Sequence, residues 1–145
     1  GTAHWPRFLR NGSEQFEARL VQVRVDASPS VLLRGMEGAR IPVAVAHGEG
    51  RAEFGEGDAA ALEAAGLVGL RYVEGDGAIA TRYPANPNGS AGGAAGLCNA
   101  DGRVTIMMPH PERVFLTREF SWQPDGWGEH APWMRLFRNA RAWLG

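Results

Sequence analysis

Arg103 to Arg113 reads RVTIMMPHPER, an apolar run that stops where two prolines flank a histidine. The run from Arg103 to Met108 predicts a strand. Each proline fixes its own φ and pushes the residue before it towards extended backbone. Met108 and His110 are therefore disfavoured from helix, and residues 108 to 112 are expected to be extended. Residues two apart in an extended chain point to the same side. His110 and Glu112 are then expected side by side, within reach of an imidazole–carboxylate hydrogen bond. The end of a buried strand is where open α/β sheets place ligands. A carboxylate that holds a histidine in one tautomer is the usual support of a general base. The same five residues also read as a surface turn stiffened by proline. A zinc deaminase uses His-x-Glu as well, but it requires a Pro-Cys-x-x-Cys partner that this sequence lacks.

Working outward, Ile41 to Ala46 (IPVAVA) is a continuous apolar run that suits a strand buried on both sides. It runs straight into His47-Gly48-Glu49-Gly50. His47 reads either as a group beside a ligand, since Gly-x-Gly lets one approach the backbone, or as a turn histidine bonded to nearby backbone. Phe16 to Val25 alternates with one phase slip, which predicts a strand carrying a bulge. Ser30 to Gly35 suits a helical turn. Asp58 to Ala65 predicts a helix with Asp58 as N-cap and Gly66 as its stop. Leu67 to Val73, a turn at Glu74-Gly75-Asp76-Gly77 and Ala78 to Tyr83 predict a hairpin. Pro84 to Asn99, rich in Gly, Asn and Ala, reads as a long loop. Asn86, Asn88 and Ser90 in it suit turn chemistry, or a cleft lining. Pro132 to Leu144 spaces Trp133, Leu136, Phe137, Ala140 and Leu144 for a helix. Trp122, Trp127, Trp133 and Trp143 read as packing for that helix, or as a docking face. Strands and helices mix, which places the chain in the α/β or α+β class.

The 145 residues allow one domain with a core, and 44% hydrophobic with 21% charged residues is globular composition. Fifteen basic and 16 acidic residues leave a net charge of −1. That balance gives no electrostatic reason to expect nucleic acid or an anionic membrane surface. The basic residues are all Arg, so Schiff-base chemistry and the P-loop lysine are excluded. The one cysteine, Cys98, cannot form an internal disulfide or a Cys-based zinc site. It precedes a turn and a strand and opens no helix, so it reads as packing rather than as a nucleophile. No apolar run reaches the roughly 18 residues of a membrane span, and a cytoplasmic protein is expected. No serine sits in a Gly-x-Ser-x-Gly elbow. The chain begins Gly1-Thr2-Ala3 without an initiator Met and reads as part of something longer.

Several blocks in order carry a resemblance: Trp5-Pro6-Arg7-Phe8 with Arg10-Asn11, Phe16-Glu17-Ala18-Arg19, His47-Gly48-Glu49-Gly50-Arg51 and Leu70-Arg71-Tyr72-Val73. Tyr83 to Ser90 (YPANPNGS), Arg103 to Phe115 and Pro132 to Ala140 (PWMRLFRNA) continue it. Together they resemble the glutaminase domain of the phosphoribosylformylglycinamidine synthases in their large single-chain bacterial form. The resemblance implies an α/β fold, the second half of a flavodoxin-like class I glutaminase domain with a mixed sheet and flanking helices. It implies that residues 1–145 are the C-terminal portion of that domain, its cysteine elbow lying upstream of Gly1. The catalytic His and Glu map onto His110 and Glu112, and His47 is placed near the glutamine cleft as a substrate-binding residue. The implied partners are glutamine and the remainder of the same polypeptide, with no nucleic acid and no membrane. No cofactor is implied in this segment; ATP and Mg belong to the synthetase domains. The expected activity is hydrolysis of glutamine to supply ammonia for ATP-dependent amination of formylglycinamide ribonucleotide in purine biosynthesis, with the segment alone inactive. The alternative is a non-catalytic binding or structural module derived from that domain.

Overall fold

A computed structural model describes residues 2–145. The elements run β1 (Arg7–Arg10), β2 (Glu17–Val25), β3 (Arg40–His47), β4 (Glu49–Glu53), α1 (Asp58–Ala64), β5 (Val68–Tyr72), β6 (Ala94–Cys98), β7 (Thr105–Met107) and α2 (Met134–Leu144). The chain therefore mixes strands with helices, as expected. Five strands form one sheet in the order β3-β2-β5-β6-β7, and β1 pairs with β4 in a separate ribbon. All of these pairings are antiparallel, where a mixed sheet was expected: parallel pairing needs crossover connections, and α1 is the only α-helix between strands among the described residues.

The core follows from alternation. Val21, Val23 and Val25 of β2 and Ile41, Val43 and Val45 of β3 point inward and are buried. Leu70 and Tyr72 from the central strand β5 join them. Trp133 and Leu136 at the start of α2 cover this face with Phe120 and Val114. The indole Nε1 of Trp133 donates to Pro42 O at 2.8 Å, which ties α2 to the β3 edge. A second cluster joins Leu62 of α1 and Ala52 of β4 to Val68, Ala94 and Leu97.

Several local expectations are corrected. The β2–β3 register is continuous from Glu17↔His47 to Arg24↔Arg40, so β2 has no bulge. The phase slip in the sequence arises because Phe16 and Leu20 are apolar yet face outward, 67% and 44% exposed. Pro84 to Asn99 is not one long loop, since Ala94–Cys98 is a strand buried at every residue. The hairpin after β5 shrinks to a single bridge, Val73↔Ile79, because β5 pairs with β2 and β6 instead. Gly57, not Asp58, caps α1. Asp58 instead receives a 2.6 Å contact from His4 Nδ1. Gly66 stops the helix as expected, at φ 65°, in the left-handed region where glycine carries no Cβ penalty.

One link positions the candidate site. His110 N donates to Ala44 O at 2.7 Å, a bridge from the segment after β7 to β3. These strands lie at opposite ends of the sheet order. The sheet therefore curls until its two edges approach each other.

Candidate functional site

The bridge to Ala44 lands three residues before His47 on β3, and the two histidines meet there. Their ring centroids are 5.6 Å apart with planes tilted by 50°. His47 Nδ1 lies 3.5 Å from His110 Nε2. On its other side, His110 Nδ1 is 2.8 Å from Glu112 Oε1.

The expected His110–Glu112 contact is thus present, but the backbone that makes it differs. The chain is not extended through residue 112. Pro111–Arg113 forms one 3-10 turn, with Pro111 at its first position and His110 as the flanking residue. Proline suits the first turn of a helix, because its fixed φ is helical and no N–H is needed there. Glu112 reaches back from this turn to the ring. The side chain of His110 is a quarter exposed and that of Glu112 about half. The pair therefore faces outward, and an imidazole held at Nδ1 by a carboxylate leaves Nε2 for proton transfer.

His47 is held from behind by a buried polar network. Asn88 Nδ2 lies 2.9 Å from His47 Nε2 and donates to Asn11 Oδ1 at 2.8 Å. Tyr72 OH donates to Asn88 Oδ1 at 2.6 Å. Asn11 Oδ1 also accepts Gly50 N at 3.1 Å, while its Nδ2 donates to the Gln15 and His47 carbonyls. Asn11, Tyr72 and Asn88 are all buried. Burial pushes the Tyr72 hydroxyl pKa upward, so it stays a donor. The His47 pKa is lowered, first by burial, then by the positive charge available to His110 and Arg113; the Asn88 contact opposes this.

Sequence reasoning brought His110 and Glu112 together; it left His47 between the glutamine cleft and a turn, and the structure sets it beside His110. It missed Asn11 and Tyr72 and left Asn88 between turn and cleft. These side chains meet over separations of 77 and 16 residues, which no local spacing reports. Asn86 serves both expectations: its Oδ1 accepts Gly89 N and Ser90 N in the turn, and the residue also lines a cleft. Cys98 ends β6 fully buried, and burial pushes its thiol pKa up. Of the four C-terminal tryptophans, Trp133 is core and Trp127 packs edge-on against Phe120. Trp122 and Trp143 are exposed.

A cleft of about 380 Å³ opens between the loops at Gly12–Gln15 and Tyr83–Gly89. Neither His47 nor the His110–Glu112 pair lines it. Among the described residues no group of three His, Cys, Asp or Glu is placed to hold a metal ion. No helix among them is long and apolar enough to cross a membrane.

A family model of the CobB/CobQ-like glutamine amidotransferase domain matches residues 1–144. The chain belongs to that family. A chain in the structure of PurLQS from Thermotoga maritima is similar to this amidotransferase domain, with a TM-score of 0.68 and 25% sequence identity. The match covers 97% of this chain and 53% of that one, so the domain described here spans about half the length of that relative.

Proposed function

We propose that this chain supplies the His–Glu part of a glutamine-hydrolysing site. The 2.8 Å contact between His110 Nδ1 and Glu112 Oε1 carries the reading, in a chain of a glutamine amidotransferase family. Glu112 keeps the proton of His110 on Nδ1 and so leaves Nε2 free to accept or give one. A cysteine thiolate from a segment preceding this chain attacks the side-chain amide of glutamine. His110 protonates the departing ammonia and then activates water against the thioester. The ammonia serves the ATP-dependent amination of formylglycinamide ribonucleotide in purine biosynthesis. ATP and Mg act in synthetase domains outside this chain. Glutamine and the remaining segments of the same polypeptide are its partners, in the cytoplasm.

In the enzyme that carries this chain, His110→Asn separates the two nitrogen donors. Loss of a general acid–base costs roughly 10²–10⁴ in rate, so glutamine fails as donor while added ammonia still works. Equal failure with both donors, in well-folded protein, contradicts the assignment. Cys98 is buried and supplies no nucleophile under either reading; the second reading is a binding or structural module without catalysis. The isolated chain then hydrolyses no glutamine, and neither does the complete protein. Under the first reading the complete protein does.

A further inference from the structure

We propose that His47 is a positioning residue for His110, its tautomer fixed by a buried relay that runs from Tyr72 through Asn88. The backbone N–H of Gly50 donates to Asn11 Oδ1, and that fixes which end of the Asn11 amide is oxygen. Asn11 Nδ2 then faces two carbonyls, those of Gln15 and His47, as a donor must. The atom of Asn88 that meets Asn11 Oδ1 has to be the amide nitrogen. This leaves Asn88 Oδ1 to accept the Tyr72 hydroxyl. The same Asn88 nitrogen approaches His47 Nε2 at 2.9 Å, so Nε2 accepts and the His47 proton sits on Nδ1. Nδ1 is the atom that faces His110 Nε2.

Burial makes this a strong constraint. Asn88 and Tyr72 are fully buried and Asn11 nearly so. Reversing the Asn11 amide would leave N–H facing N–H and two carbonyls without a donor, and reversing the Asn88 amide would set its oxygen against Asn11 Oδ1. Gly50 supports the same arrangement independently: a Cβ at this position would run into His47 Nε2 and Asn88 Nδ2. The backbone is thus kept bare where the His47 ring and the Asn88 amide pass.

The consequence falls on His110. Glu112 holds the ring at Nδ1, and His47 faces it with an N–H at Nε2. The Cβ attachment and the Glu112 contact set the plane of the ring, and the His47 N–H biases it from the other side. The 3.5 Å separation from His47 is long for a hydrogen bond, so Nε2 can leave it for a reacting proton at small cost. The charged groups around the pair are Glu112 and Arg113, the latter 3.9 Å from the Glu112 carboxylate.

The functional meaning rests on the acid–base reading of His110; the tautomer does not. Histidine-selective ¹⁵N NMR on the full chain at mildly alkaline pH tests it without any turnover. The sequence has four histidines, which makes assignment by single substitution practical. The expected wild-type signature is a His47 ring protonated at Nδ1 and unprotonated at Nε2. In Asn88→Asp the carboxylate can only accept, so His47 moves its proton to Nε2 and the His110 Nε2 resonance shifts with it. His47→Phe, which keeps a ring and removes the N–H, shifts the same His110 resonance. Wild-type His47 protonated at Nε2 overturns the proposal, and that outcome needs no variant to fold. A His110 spectrum unchanged in folded His47→Phe overturns the positioning role. A failed glutamine assay leaves both readouts standing, so the two readings fail separately.

Discussion

Glu112 leaves a single 3-10 turn and still meets Nδ1 of His110. The two prolines explain why: they stiffen the backbone on both sides of the histidine, and the second one starts the turn. The residue types and their spacing were enough to pair His110 with Glu112, although the route was misjudged, because Pro-x-x reads equally as extended chain or as a first helical turn. His47 makes a testable statement about acid. Its pKa in the folded chain lies below the ordinary 6.5, so the unfolded chain binds this proton more readily. Stability is therefore unaffected by His47 above about 6.5 and falls as the pH drops below it. Urea midpoints measured across that range are expected to fall less steeply in His47→Gln than in the wild type. Equal slopes contradict the burial of the ring. Cys98 yields a second expectation. A buried thiol with a raised pKa is a poor nucleophile, so a thiol reagent is expected to label it only as the chain unfolds. Rapid labelling of native protein contradicts the packing role.

β6 and β2 show what element patterns reveal and conceal. β3 was legible because Ile41, Val43 and Val45 are large, β-branched and buried. β6 (AAGLC) is built mostly of small residues, with Leu97 the exception, and is buried at every position, so it shows neither alternation nor β-propensity, and its glycine and alanines read as loop. β2 misled for the opposite reason: Phe16 and Leu20 are apolar on the outward face. The strands therefore predict contrasting costs. Leu70→Ala in the central strand, fully buried, is expected to cost about 2–5 kcal/mol by denaturant unfolding. Phe16→Ser is expected to change stability by no more than about 0.5 kcal/mol. A large loss on Phe16→Ser would mean that this face is covered in the folded protein.

At the scale of the whole molecule, the proposed site depends on a closure that no single element shows. The sheet curls so that the segment following β7 bonds to β3 at Ala44, which sets His110 against His47. The α/β class and the His–Glu pair were legible from motif order. The Asn11–Asn88–Tyr72 support was not, because it is assembled by long-range packing. The chain's membership of the amidotransferase family gives this closure its interpretation, and the pairing of His110 with Glu112 is the central claim. A double-mutant cycle in the enzyme that carries this chain, with glutamine as donor, tests it most directly. Residues that act as one unit are strongly non-additive. His110→Asn combined with Glu112→Gln is expected to lose no more glutamine-dependent turnover than His110→Asn alone. A combined loss equal to the product of the two single losses would show that they act independently, and would contradict the pairing.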